Sequence, residues 1–157
     1  AFCGAALHDL GLIPPYRRDN RFEVDGADAA REFCSKHKVP SERTDLIWEA
    51  IALHTSAGIA TRLADEIALV HLGAGLELFG LGLDQVPPQV VEEVLEQYPR
   101  MNFKVEFRHL LIEHCRHNPA VQVLTWSDDV ARAAGCALHG QPIPTASQLM
   151  AAAPYAG

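Results

Sequence analysis

Ala5-Ala6-Leu7-His8-Asp9-Leu10-Gly11-Leu12 sets an imidazole beside a carboxylate with no other charged residue on either flank. The stretch from Ala1 to Leu10 is apolar all round, which predicts a buried helix. Gly11 can terminate that helix, and Pro14-Pro15 bar its continuation. A carboxylate buried there is costly unless it is paired or binds a metal. Neighbouring side chains on a helix point about 100° apart, yet His8 and Asp9 can still converge on one ion at the helix surface. On the dipeptide alone, the simpler reading is a pair that caps or bridges helices.

Outward from this stretch the pattern is helix after helix, broken by Pro and Gly. Tyr16 to Gly26 is polar and reads as a loop. A second helix opens at Asp25 or Gly26 and runs to about Lys36. A third begins at Pro40-Ser41, with Ser41 as its N-cap, and reaches His54 or Thr55. A fourth covers Arg62 to Phe79, ended by Gly80-Leu81-Gly82. A fifth runs from Pro87-Pro88 to Tyr98, and a sixth from Asn102 to about His117, before Pro119. Ser127 can cap a short helix through Ala134. The tail over 140–157 is rich in Pro, Ala and Ser and reads as irregular. No segment alternates as a strand does. The fold class is all-α, with residues 1–157 forming one domain.

Hydrophobic residues make up 48% of the chain and charged residues 21%, the balance of a globular domain. The net charge of −7 argues against a nucleic-acid-binding surface. No apolar run is long enough to span a bilayer. The start lacks a basic leader and carries His8 and Asp9, unlike a signal peptide. Cys3, Cys34, Cys115 and Cys136 match no zinc or redox spacing, so they read as buried reduced thiols of a cytoplasmic protein. A small-molecule substrate is the expected partner, and the chain leaves room for a homo-oligomer.

Two helical stripes bear on His8 and Asp9. Leu63, Ile67, Val70, Ala74 and Glu77 fall within a stripe about 80° wide, with Glu77 its one acid. Ile47, Ile51 and His54 share another. An inward acid, an inward imidazole and a His-Asp pair suit a metal, although each alone suits a packed core equally well. His114 shares a stripe with Phe103, Phe107 and Leu110 and reads as a core residue, whereas His109 and His117 read as surface. His71 lies off the Glu77 face, which suggests packing or hydrogen bonding. Arg17, Arg18, Lys36 and Lys38 read as solvated, and Asp65 and Glu66 suit a helix start.

Ala5 to Gly11 is followed in order by Arg21-Phe22-Glu23-Val24-Asp25-Gly26-Ala27, Trp48-Glu49-Ala50-Ile51-Ala52-Leu53-His54-Thr55, Val70-His71-Leu72-Gly73-Ala74-Gly75 and Tyr98-Pro99-Arg100. Over about residues 1 to 115, this set resembles the HD-domain metal-dependent hydrolases, in their cyanamide hydratase-like branch. The resemblance implies an HD-type helical bundle that holds one divalent ion, zinc or iron, with two His and two carboxylates. His8 corresponds to the second His, Asp9 to the first carboxylate and Glu77 to the last acid, usually Asp. The first His lies upstream in the family, and only seven residues precede His8 here. The chain therefore reads as a bundle lacking its N-terminal helices. Phe22 stands near the place where two-metal relatives carry an extra His, which implies a single ion.

The metal ligands expected from this chain are thus His8, Asp9 and Glu77, which at most three in number would bind an ion weakly. The implied reaction is hydration of a small nitrile-like substrate, cyanamide to urea, by water whose pKa the ion lowers from about 16 toward 7. Asp9 would ligate and orient the nucleophile, His54 would donate or relay a proton, and Glu23 would orient His8. Phosphomonoester hydrolysis is the alternative, but it needs a cationic clamp for which only Arg17-Arg18 and Arg100 qualify. A non-catalytic helical binding protein is the third reading.

Overall fold

The turn that follows His8-Asp9 is seated directly on the backbone of another helix. A Cβ at Gly11 would lie 2.0 Å from the carbonyl oxygen of Phe22 and 2.9 Å from the nitrogen of Gly26. A Cβ at Gly26 would in turn meet the Gly11 nitrogen at 3.1 Å and the His8 carbonyl oxygen at 3.2 Å. Two glycines facing each other thus let the segments touch through their main chains.

The computed structural model describes residues 1–154. Its helices are α1 (Phe2–Leu7), α2 (Phe22–Lys36), α3 (Ser41–Ala52), α4 (Asp65–Phe79), α5 (Pro88–Gln97), α6 (Phe103–His117), α7 (Asp128–Ala133) and α8 (Ala146–Ala151). Short 3₁₀ turns occupy Leu10–Leu12, Ala60–Arg62, Leu83–Gln85 and Pro119–Gln122. Among the described residues the only sheet is a two-residue antiparallel pair, with Ala137 opposite Pro142 and Leu138 opposite Gln141. The chain is mostly helical, and among the described residues no helix is long and apolar enough to cross a membrane.

Several boundaries differ from those expected, for local reasons. The apolar start is not a buried helix over Ala1 to Leu10. It is the six-residue α1, in which only Gly4 is buried while Phe2 stands 84% exposed. Gly4 is where α1 touches its neighbours, since a Cβ there would meet Val70 at 3.0 Å and Ala50 at 3.4 Å. Helix α2 starts at Phe22 rather than Asp25. Its polar first turn is deceptive because Glu23 and Asp25 are both buried. Asp25 accepts hydrogen bonds from the Arg18 amide (2.6 Å) and the Asn20 side chain (3.0 Å). Ser41 is the first helical residue rather than a cap, because extended Pro40 holds the N-cap position. Ser127 holds the N-cap position of α7, but its hydroxyl bonds Gln122 at 2.8 Å instead of the helix. The 140–157 segment is not all irregular. It completes the strand pair and forms α8, where Thr145 and Gln148 make a reciprocal capping box. Its last three residues lie outside those described.

The largest apolar cluster joins Leu12, Phe22, Leu111, Cys115, Ala131, Cys136 and Ile143, tying the 3₁₀ turn after Asp9 to α2, α6, α7 and the strand pair. A second, Ala50, Ala60, Ile67 and Val70, locks α3 to α4. A third, Ala27, Ala30 and Ile51, locks α2 to α3. Cys34, Cys115 and Cys136 are buried thiols, whereas Cys3 is exposed. Burial pushes the Cys115 thiol up to about 12.

Candidate metal centre

His8 ends α1, Asp9 opens the following 3₁₀ turn, and His54 follows the last turn of α3. Both imidazoles are held the same way. The Nδ1–H of His8 donates to the Ala5 carbonyl at 2.8 Å, and that of His54 to the Ile51 carbonyl at 2.6 Å. Each ring therefore carries its lone pair on Nε2. The two Nε2 atoms flank one carboxylate. His8 Nε2 lies 3.2 Å from Asp9 Oδ2, and His54 Nε2 lies 3.7 Å from Asp9 Oδ1. The rings meet edge to face, with centroids 4.9 Å apart.

One ligand atom from each of His8, Asp9 and His54 lies within 4.8 Å of the others, a group that could hold a metal ion. Two imidazole nitrogens and a carboxylate oxygen form the kind of three-ligand set that catalytic zinc and non-haem iron sites use, with positions left for water. Anchoring each Nδ1–H on a carbonyl fixes the ring tautomer, as ligating histidines require. The residues present therefore fit a divalent ion.

The two imidazoles differ electrically. Burial opposes charge on His8, but the Asp9 hydrogen bond and charge, with the Ala5 carbonyl, outweigh it and raise its pKa. Burial and the nearby His8 charge hold His54 below the usual histidine value, only partly offset by the Ile51 carbonyl, Asp9 and Glu23.

Glu77 is placed otherwise. It lines the same cavity, but its side chain is 54% exposed and its carboxylate sits 3.0 Å from the Arg100 guanidinium. It is not part of the group of His8, Asp9 and His54 that could hold an ion. The stripe containing Glu77 is buried at Ile67 and Val70, but Leu63 at its start stands outside the core as well. Glu23 is buried, and its Oε1 accepts hydrogen bonds from Arg21 (2.6 Å), Thr55 (2.6 Å) and the Trp126 indole (3.2 Å). It thus braces the residue after His54 rather than bonding His8. Burial would raise its pKa, but the hydrogen bonds from Arg21 and Thr55 and the Arg21 charge hold it low.

His71 makes a hydrogen bond, as expected, its Nδ1–H donating to the His54 carbonyl at 2.7 Å, and it also lines the cavity, which was not expected. The spacing of His71, Ala74 and Leu78 carried that signal, because these residues share one side of α4 and all line the cavity. His114 is fully buried, as its stripe suggested, and neither ring nitrogen has a hydrogen-bond partner. Phe22 stands between the two buried histidines, 5.6 Å from His54 and 5.8 Å from His114.

Above His8, Asp9 and His54 lies a cavity of about 350 Å³, walled by Phe22, Phe79, Phe103, Phe107 and Trp126. Among the described residues, no Lys or Arg lines it. The cations suggested for a phosphate clamp are committed elsewhere. Arg17 donates to the Leu12 carbonyl, Arg18 pairs with Glu32, and Arg100 pairs with Glu77. Comparison of the chain with protein-family models, curated proteins and solved structures found no match.

Proposed function

We propose that this chain is a metal-dependent hydratase of the HD type, cyanamide hydratase-like, which adds water across the carbon–nitrogen triple bond of an uncharged substrate. Hydration of cyanamide to urea is its simplest case. The observation that carries the reading is the His8–Asp9–His54 group on the floor of a cavity that no Lys or Arg lines. The donor set suits one zinc or iron ion per chain, and such an ion supplies Lewis acidity and water of lowered pKa.

The remaining work falls to the chain itself. His8 and His54 present Nε2 because their Nδ1 protons are held by carbonyls. A ligating His54 has neither nitrogen free for a proton relay. His71 is then the residue suited to relay a proton, since its Nδ1–H is held by the His54 carbonyl and its free Nε2 can take a proton from the attacking water and pass it to the developing nitrogen at the cavity it borders. Asp9 orients the attacking water, and the aromatic side of the cavity offers the substrate an apolar surface. Phosphate-ester hydrolysis ranks lower because the dianion would meet no cationic side chain. Three buried thiols suit a reducing compartment, which favours the cytoplasm.

The test is to strip the protein of metal, reload it with Zn²⁺ or Fe²⁺, and assay urea from cyanamide beside phosphate from nucleoside monophosphates. Urea formation that depends on metal is expected. Phosphate release without any nitrile hydration reverses the ranking.

A further inference from the structure

We infer that the cavity is built for a nitrile much larger than cyanamide, one carrying an aryl or comparably bulky apolar group; this rests on the hydratase reading above. Cyanamide has three heavy atoms, the size of two or three waters, each with a share of about 30 Å³. The cavity measures about 350 Å³, some twelve such shares, within the range of sites for whole organic ligands. With cyanamide alone on the floor, most of the wall would stay hydrated and contribute nothing to binding.

The wall chemistry names the missing group. Phe22 and Phe79 each meet Trp126 edge to face, with centroids 6.2 and 6.3 Å away, and Phe103 lies 5.5 Å from Phe107. Such a surround accepts another ring edge or face. The Trp126 N–H is occupied by Glu23 at 3.2 Å, so the indole offers the cavity little but its apolar body. The absence of any lining Lys or Arg disfavours an anion on the substrate. Polar groups lie at the His8–Asp9–His54 floor, where the nitrile end would sit, and at Thr55, His71 and Glu77 along one side, while the ring would lie against the aromatic side formed by Phe22, Phe79, Phe103, Phe107 and Trp126.

The step balances without a further reagent. The water oxygen bonds the nitrile carbon as one π pair of the triple bond moves to nitrogen and takes a water proton, giving an imidic acid; the O–H proton then passes to nitrogen as the second π pair moves there and the oxygen closes the C=O bond, giving a primary amide. Burying a Phe-sized apolar group is worth a factor of about 10 to 150 in binding. That advantage should appear in kcat/KM.

The experiment uses the metal-loaded protein with phenylacetonitrile and cyanamide. Amide and urea formation are measured, and binding of each probe is followed separately by calorimetry. Phenylacetonitrile should be preferred at least tenfold in both. Ala74→Phe, which fills the cavity from α4, should erase the preference by weakening the aryl substrate. Phe103→Ala, which removes a wall, should weaken it through a different helix. Equal or better turnover of cyanamide overturns the inference and leaves the hydratase reading intact. Turnover of neither probe overturns the hydratase reading. The binding arm then judges the cavity: tighter phenylacetonitrile binding that Phe103→Ala weakens supports it, and equal binding overturns it.

Discussion

Replacing His54 by Gln removes one of the three atoms that lie within 4.8 Å of one another at the cavity floor. Gln keeps most of the volume at a site that is buried, so loss of metal is separable from collapse. For a site of micromolar affinity, about 8 kcal/mol is shared among three ligands. An equal share is about 2.7 kcal/mol, so the variant should bind about 100-fold more weakly. Glu77→Gln should behave differently. The Glu77 carboxylate is exposed and paired with Arg100 at 3.0 Å, and such a surface pair is worth about 0.2–1 kcal/mol. Metal affinity should then stay within about fivefold of the parent, the factor that 1 kcal/mol makes. The assay is competition of Zn²⁺ against a chromophoric chelator, with circular dichroism confirming that each variant is folded. Affinity should also fall with pH through the titration of His8, because its raised pKa lets protons compete for Nε2. A His54→Gln protein with parental affinity, alongside a Glu77→Gln protein that has lost its metal, would refute the assignment of His54 as the third ligand.

His71→Gln should lower kcat about 100-fold while leaving metal affinity unchanged, as expected of a proton relay at the cavity wall; parallel loss of metal would mean that it acts only by supporting His54. His114 is neutral when buried, with its pKa lowered by burial and then by Arg17 and His117 against the opposite pull of Asp25 and Glu23. The unfolded chain therefore binds more protons below about pH 6.5, and His114 costs no proton-linked stability above that value. As pH falls toward the folded pKa, stability should drop by at most about 1.4 kcal/mol per unit. His114→Leu should lose that slope and keep or gain stability at pH 7.5, since two unpartnered nitrogens go with the ring; parallel urea-melt profiles at pH 7.5 and 5.5 would contradict this. Gly11→Ala would drive a methyl to within 2.0 Å of the Phe22 carbonyl and should cost about 3 kcal/mol or more, lowering the urea midpoint and loosening the metal site together.

Helix order was legible because Pro and Gly punctuate it: Gly80 ends α4 with φ 73°, and Pro88 opens α5. His8 and Asp9 were legible because ionisable groups amid Ala and Leu demand a reason. Less could be read where burial and periodicity part company. The start of α2 looked like a loop because Glu23 and Asp25 are charged, yet both are buried by hydrogen bonds from residues spread across the chain. Trp126 reaches Glu23 from 103 positions away, a contact that no local pattern encodes. Glu77 shows the opposite failure. Its angular position on α4 is that of Ile67 and Val70, but angle says nothing of depth along the axis, and the end of α4 runs out beyond the core.

The same distinction bears on which residues gather around Asp9. By the family resemblance, the expected ligands are His8, Asp9 and Glu77, with a further imidazole from a segment upstream. By distance, the imidazole grouped with His8 and Asp9 is that of His54, and its anchoring matches that of His8 down to the carbonyl three residues earlier that accepts from Nδ1. A helix C-terminus exposes such carbonyls, and a histidine just beyond it can turn back to one. His8 and His54 both stand there, one closing α1 and the other one residue past the cap of α3. The Gly11–Gly26 contact holds the α1 end against α2, and the Ala27–Ala30–Ile51 cluster holds α2 against α3. Two helix ends, packed on each other at Gly4 and Ala50 and both held against α2, are what bring two nitrogens to either side of Asp9. Zinc binding by residues 1–157 should then depend on His54 rather than on Glu77, with three protein ligands in either count, which is what the His54→Gln and Glu77→Gln pair measures.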